Sequence, residues 1–535
     1  MKIKKIYFLA FLIVFIGCEN NILDTTPVNQ LSNELFWQDQ RDAEHALNAI
    51  YAFMPGVGEI QWDMLSDIGH ANTSYDGRLA IERGEHGSTM GFFSGLWNGH
   101  YQGIRRANYF LENVNQVVEK DPLYTDELNA QFRAEVRVIR AMLYMRLAFW
   151  FGDVPLVTET LTPDEAASVS HTPREDIIDF IYSELSSVAQ NLPVERPASE
   201  NGRITRGAAF ALNARAMLYN NRYQQAAEAA EAVINLGVYS LNDSFEHLFG
   251  YEAQSTGEII LDRQYTQGTN SHGFFASYAP HGMNGNVGIA PTRTLVDAFK
   301  TINGLHVDDD PDHDIYNPYV DRDPRLGYTL FLPTFSDNVQ GDILYNGRVY
   351  DPRPGSRTED EIDVDLYRTK TGFSTKKYIN EEDLGDPGNN GTNFILIRFA
   401  DVLLMYAEAK IELNQLDDSV YDVMNKIRTR PDVNMPVISE GKSQDELRSI
   451  VRNERMTELA MEGLRFWDIR RWRIAENVMV GNIPGMDFIP SGETEISTRT
   501  YSGTIRVFDP NRDYLFPIPA QELVINQNLA QNLGY

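Results

Sequence analysis

One cysteine, Cys18, serves all 535 residues. That count constrains the fold more than any other feature. No intrachain disulfide can form, and no cysteine-ligated zinc site can be built. Stability has to come from buried surface, and a chain of this length buries a large fraction of its surface on folding. The length fits two to four domains or one large one.

The position of that thiol is equally informative. Lys2, Lys4 and Lys5 precede an unbroken apolar run from Ile6 to Ile16, and Gly17 then stands directly before Cys18. Eleven apolar residues are too few to span a bilayer, which takes about 20, but they suit the central segment of an export signal. No A-x-A-like cleavage site is present. A small residue followed by cysteine instead resembles the acylation motif of bacterial lipoproteins, with Phe15 where that motif more often has leucine. On this reading residues 1–17 are removed, Cys18 carries the lipid, and residues 18–38 form a tether to the membrane. The mature body then has no free thiol for nucleophilic chemistry.

The formal net charge is −29, and it becomes more negative when the three signal lysines are lost. Such a chain is repelled by phosphate backbones and anionic lipid, so nucleic acid is a poor partner. Aromatic residues make up 11% of the sequence, a generous supply of flat apolar faces.

Helical spacing recurs over much of the chain. Asp39 can cap a helix carrying Ala43, Ala46, Leu47, Ile50 and Tyr51. The period is lost over 56–96, which reads as loops. It returns at about 97–118, 124–151, 174–190, 205–220 and 223–236. The last two segments form a pair with small residues at Ala208, Ala211, Ala214 and Ala216, Tyr219 and Tyr223 at the turn, and Gly237 beyond the end. This resembles a tetratricopeptide unit. Residues 240–390 are dense in Gly, Pro, Asp and Tyr with short strand-like runs. Helices resume at 394–414, 417–429 and 443–462, and the tail from 476 is loops and short strands. The expectation is a mainly α, tetratricopeptide-like superhelical core with a large irregular loop and short-strand region.

No metalloprotease, Walker, dinucleotide or nucleophile-elbow motif is present. Glu454, Glu458 and Glu462 share one helix face and should repel one another. Arg452, Arg455, Arg465, Arg470 and Arg471 lie in the same stretch, so a partly buried ion-pair network is expected. Asp308, Asp310, Asp312 and Asp314 alternate as in a calcium loop, but the glycine at position six and the distal glutamate are missing. A solvated acidic loop is the alternative. Two loops combine rings with amides and charges, as sugar recognition requires. One carries Trp62, His70, Asn72, Tyr75, Asp76, Arg78 and Arg83. The other carries Tyr265, Asn270, Phe274, Phe275, Tyr278, His281 and Asn284.

Four ordered stretches now point one way: "CENNILDTTPVNQLSNELFW", "NFILIRFADVLLMYAEAKIE", "NERMTELAMEGLRFWDIRRW" and "YLFPIPAQELVINQNLAQNLGY". They resemble the SusD/RagB family from the acylation motif to the last residue. The resemblance implies a SusD-like fold: an N-terminal helical region at 39–238 and a C-terminal region at 239–535. The latter divides into an irregular ligand-side segment 239–393, helices 394–475 and a tail 476–535. It also implies a cell-surface, outer-membrane lipoprotein that is not an enzyme and needs no cofactor. Such a protein captures oligo- or polysaccharide, or in some members oligopeptide, for a SusC-like TonB-dependent transporter. It assigns Trp97, Tyr101, Asn108, Asp401 and Glu408 to structure.

Overall fold

A computed structural model describes residues 36–73, 77–254 and 256–535. The expected signal, Cys18 and most of the tether lie outside the described residues. Asp39 accepts hydrogen bonds from the amides of Arg41 and Asp42, while its own amide donates to the Asp42 carboxylate. This reciprocal cap opens α1 (Gln40–Tyr51), which buries Ala43, Leu47 and Ile50.

The frame continues through α2 (Gly91–Asn113), α3 (Asp126–Phe151), α4 (Arg174–Val188), α5 (Arg206–Tyr219) and α6 (Tyr223–Ile234). From α2 onward each helix packs on its predecessor. Ala208, Ala211, Ala214 and Ala216 of α5 and Ala226, Ala227, Ala229 and Ala230 of α6 are all buried, so small side chains bring the two axes close. The chain then leaves the frame and rejoins it as α7 (Phe399–Glu412), α8 (Asp418–Arg428) and α9 (Gln444–Glu458), followed by α10 (Arg465–Arg471). Helix α7 packs directly on α6 and α5, and α8 and α9 pack on α7. The helical stack is interrupted in sequence and continuous in space.

Short strands lie outside the frame: β1 (Gly69–Ala71) between α1 and α2; β2 (Ile259–Arg263), β3 (Ile289–Pro291), β4 (Leu330–Phe331), β5 (Ser374–Thr375) and β6 (Phe394–Arg398) in the excursion; and β7 (Gly481–Phe488) and β8 (Ser497–Arg506) in the tail. They pair antiparallel as β1–β3, β2–β6, β4–β5 and β7–β8. Two expectations need correction. Residues 394–398, read as the start of a helix, form β6, because alternate β-branched side chains pair with β2 before the helix begins. Residues 56–96 are not all loop: Val57–Leu65 is a 3₁₀ helix, Gly69–Ala71 is a strand, and α2 starts at Gly91.

The helical frame has one large apolar core and the irregular layer has its own. The second is built from rings and sulfur: Phe245, Phe249, Phe274, Phe275, Phe299, Phe331, Tyr378, Met283 and Met486. A layer with few backbone ladders buries large side chains to offset the entropy of ordering its loops.

Buried charge joins the two. Glu458 accepts from Arg325, Arg398 and Arg430; Glu454 accepts from Arg325 and Arg428; Glu462 accepts from Arg398 and Lys377. Glu258 also pairs with Arg398 and Arg430. The network is real, but its cations are not the neighbouring arginines. Arg455 pairs with Asp401 and Asp468, Arg471 with Glu408, Arg465 with Asp67 and Arg452 with Glu412. Residues adjacent in a helix face about 100° apart, so arginines beside the glutamates serve other faces. The guanidinium groups that meet the glutamate face come from β6, from the end of α8 and from the irregular layer.

Gly463 shows how tightly the seam closes. Its φ is +79°, and a Cβ there would lie 2.0 Å from the Glu59 carbonyl oxygen. Its amide donates to Asp63, as does that of Arg465, at 2.9 and 3.1 Å. Burial pushes the Asp63 carboxyl up to about 7, against those two amides. Gly463→Ala should cost about 2–4 kcal/mol through a left-handed backbone and a backbone clash. Urea denaturation checks this; an unchanged midpoint would contradict it.

Candidate functional site

The irregular layer presents a surface built from two loops. In the first, a short turn at His281–Met283 is held from both sides. The Gly282 amide donates to Asp360 at 2.8 Å, the Asn346 side-chain amide donates to the Gly282 carbonyl at 2.6 Å, and His281 Nδ1 lies 3.0 Å from the Gly285 carbonyl. Asn284 sits at φ +64° and is exposed. A Cβ on Gly285 would meet the Ala279 carbonyl at 2.0 Å, so only glycine lets the turn close.

The second loop, 363–370, is anchored through Asn72. Its amide nitrogen donates to the Arg368 carbonyl at 3.0 Å, and its oxygen accepts from the Lys370 amide at 2.9 Å. The loop carries Tyr367, 39% exposed, whose ring lies parallel to that of His281 at 12° with centroids 6.4 Å apart. Arg368 stands beside Tyr367 and pairs with Asp365 at 3.1 Å. The Arg368 guanidinium is itself largely buried, but an open aromatic face with an imidazole and an exposed amide nearby can stack on C–H groups and hydrogen-bond hydroxyls.

The structure divides the residues expected from sequence. Trp62 is 3% exposed and packs against Trp150, Phe466 and Trp467, so no ligand can reach its face. Phe274, Phe275 and Tyr278 are buried in the second core. His70 is buried against Glu82, which Arg506 also holds. Arg78 is buried over the Phe92 ring, and burial lowers its guanidinium to about 10. These six leave the contact set because their surface is spent on the core. Asn72 is buried as well, and positions a loop. Arg83 is half-buried and donates to the Gly503 carbonyl. Tyr265 is half-buried, its hydroxyl accepting from the Val57 amide. Asn270 is exposed on a separate turn. Tyr75 and Asp76 lie outside the described residues. His281 and Asn284 remain at the surface. Tyr367 was not singled out from sequence; its only signal is an aromatic within the acidic run "DEIDVDLYR".

The alternating aspartates are not gathered together here as the ligands of a calcium loop would be. Asp310 is buried, accepting from Thr301, Asn303 and the Asp312 amide, while Asp314 accepts from the Tyr316 amide. Their oxygens face turns rather than one another. Among the described residues no group of three or more His, Cys, Asp or Glu side chains could hold a metal.

A helical-repeat frame that displays rings and amides on an irregular outer layer has the build of a binding protein. The chain belongs to the SusD family, whose model matches residues 256–535. A second family model, described as starch-binding associating with outer membrane, matches 56–218. The chain is 28% identical to SusD-like protein P2 of Formosa agariphila, with 99% of each chain covered. It is 21% identical to a SusD-like protein of Bacteroides ovatus, covering 88% of this chain and 83% of that one. A solved SusD-like carbohydrate binding protein from Bacteroides fragilis superposes with a TM-score of 0.84 at 30% identity, covering 92% of this chain and all of that one. The family descriptions point to outer-membrane association; among the described residues no helix is long and apolar enough to cross a membrane.

Proposed function

We propose that this protein captures oligo- or polysaccharide on the surface formed by loops 281–286 and 363–370. It passes the glycan to a SusC-like TonB-dependent transporter in the same outer membrane, and acylation of Cys18 tethers it at the extracellular face. It binds and does not catalyse. The observation that carries this reading is the exposed Tyr367 ring, parallel to His281 and next to the turn bearing Asn284. Flat rings flanked by amides match a sugar, whose faces are apolar and whose rim is hydroxylated.

The test is affinity electrophoresis against a broad panel of neutral and anionic polysaccharides, with oligopeptide pools titrated in parallel. At least one polysaccharide should retard the protein. Tyr367→Ala should weaken that binding about tenfold, the loss of one stacking ring worth about 1.4 kcal/mol, with no change in thermal midpoint. Retardation by no glycan together with saturable peptide binding would replace the glycan reading with oligopeptide capture.

A further inference from the structure

A cavity of 580 Å³ opens elsewhere in the molecule, where the ends of α3 and α5, helix α10 and the tail converge. It shares no residue with the loops above. Five arginines line it, Arg174, Arg470, Arg471, Arg473 and Arg512, against one carboxylate, Glu175. In a chain of net charge −29, that is a local reversal of sign.

Two of these arginines are already neutralised. Arg471 pairs with Glu408 and Asp468, and Arg512 pairs with Asp513. Arg470 is different. It is 6% exposed, and its guanidinium makes no hydrogen bond or ion pair among the described residues. Its Cζ lies 3.9 Å from the centroid of Phe466, with Phe508 and Phe516 also in range. The carboxylate that acts on it, Asp513, is engaged by Arg512 and by His86. Burial lowers the Arg470 guanidinium to about 9. Arg473 is exposed at the rim, makes no ion pair among the described residues, and stacks 3.9 Å from the centroid of Tyr514. Among the described residues the hydroxyls of Tyr514 and Tyr219 and the Nε of Arg174 are buried without hydrogen-bond partners, while Arg174 Nη2 donates to Asn220 at 2.9 Å.

The groups left over are therefore two phenol hydroxyls, the guanidinium N–H groups of Arg470 and Arg473, and the Nε–H of Arg174. A buried, unpaired guanidinium is costly unless a counter-charge joins it. Carboxylate and sulfate oxygens accept from guanidinium forks and hydroxyls alike. The cavity is within the size range of small-ligand pockets, and its aromatic walls suit a ring-shaped body behind the acidic group.

We propose that this cavity is a binding site for a small oxyanion, a carboxylate or sulfate group presented alone or on a sugar-sized organic molecule. Calorimetry on the full chain at constant ionic strength tests it, with inorganic sulfate, glucuronate, glucose 6-sulfate and neutral glucose as probes. At least one anionic probe should bind saturably and glucose should not. Tighter binding of glucose 6-sulfate than of sulfate assigns the site to an organic anion; equal binding assigns it to the bare group. Arg473→Ala, at the exposed rim, should weaken binding about tenfold, the loss of a charge-assisted hydrogen bond, and Arg470→Met should abolish it. Tyr367→Ala should leave it unchanged, which separates this site from the glycan surface. Absence of saturable anion binding, or equal binding by wild type and both arginine variants, would overturn the proposal.

Discussion

Arg398→Ala should lower the free energy of unfolding by about 3–5 kcal/mol, the cost of stranding buried carboxylates without their counter-charge. Arg398 reaches Glu258, Glu458 and Glu462 at once, at 2.7–2.9 Å, and also donates to the Glu458 carbonyl. The rings of Phe245 and Phe249 close over the same guanidinium and over Lys377. No water can replace the lost charge there without opening the second core. Thermal or urea melts measure the effect, and a change below 1 kcal/mol would show the network to be dispensable.

The same network sets an acid limit. Burial by itself would raise the Glu458 carboxyl. The charges of Arg430, Arg398 and Arg325 outweigh burial and hold it far below the usual carboxylate range. A folded-state value below the unfolded one means that the stabilisation is complete above about pH 4.5. It is lost as pH falls toward the folded value. Stability should therefore decline steadily below pH 4.5 in the wild type, and Glu458→Gln should flatten that decline while lowering stability at neutral pH. A decline of equal slope in the variant would assign the acid sensitivity to other carboxylates.

Trp62→Ala should also cost about 3–5 kcal/mol, as large-to-small changes in a packed core do. The indole is stacked on Trp150 at 5.0 Å between centroids, tilted against Phe466 at 4.8 Å, and flanked by Trp467, Phe516 and Phe92. These rings come from α2, α3, α10 and the C-terminal tail, so the cavity left behind would sit where four parts of the chain meet. Glycan affinity of the folded fraction should be unchanged, because the ring has no exposed face. The pair Trp62→Ala and Tyr367→Ala thus separates core from surface: the first shifts the melt and spares binding, the second spares the melt and weakens binding. Loss of glycan affinity in folded Trp62→Ala protein would return this ring to the ligand surface.

The helices were legible because their signals are local. Apolar spacing of three and four, the Asp39 cap and the alanine-lined pair at 206–234 each specify a helix within one window of sequence. The glutamate triplet of α9 was legible as a charged face in need of cations. Which arginines supply them was not, since Arg325, Arg398 and Arg430 stand 28 to 133 positions away in the chain. The ligand loops failed for a related reason. Trp62, Phe274, Phe275 and Tyr278 carry the residue types of a sugar platform, yet an aromatic-rich irregular segment looks the same whether its rings face solvent or hold the segment to the core.

Composition and local pattern alone determined that this chain folds without disulfides, as a mainly helical stack with an irregular excursion, and they carried the likeness to its family. Tertiary structure alone decided which rings are core and which are surface, which cations meet the α9 carboxylates, and that Arg470 stands unpaired among the described residues in a basic cavity of an acidic protein. The physical reason is range. Helix propensity, capping and amphipathic spacing act over a few residues, whereas burial and charge pairing depend on neighbours that only the closed chain brings together.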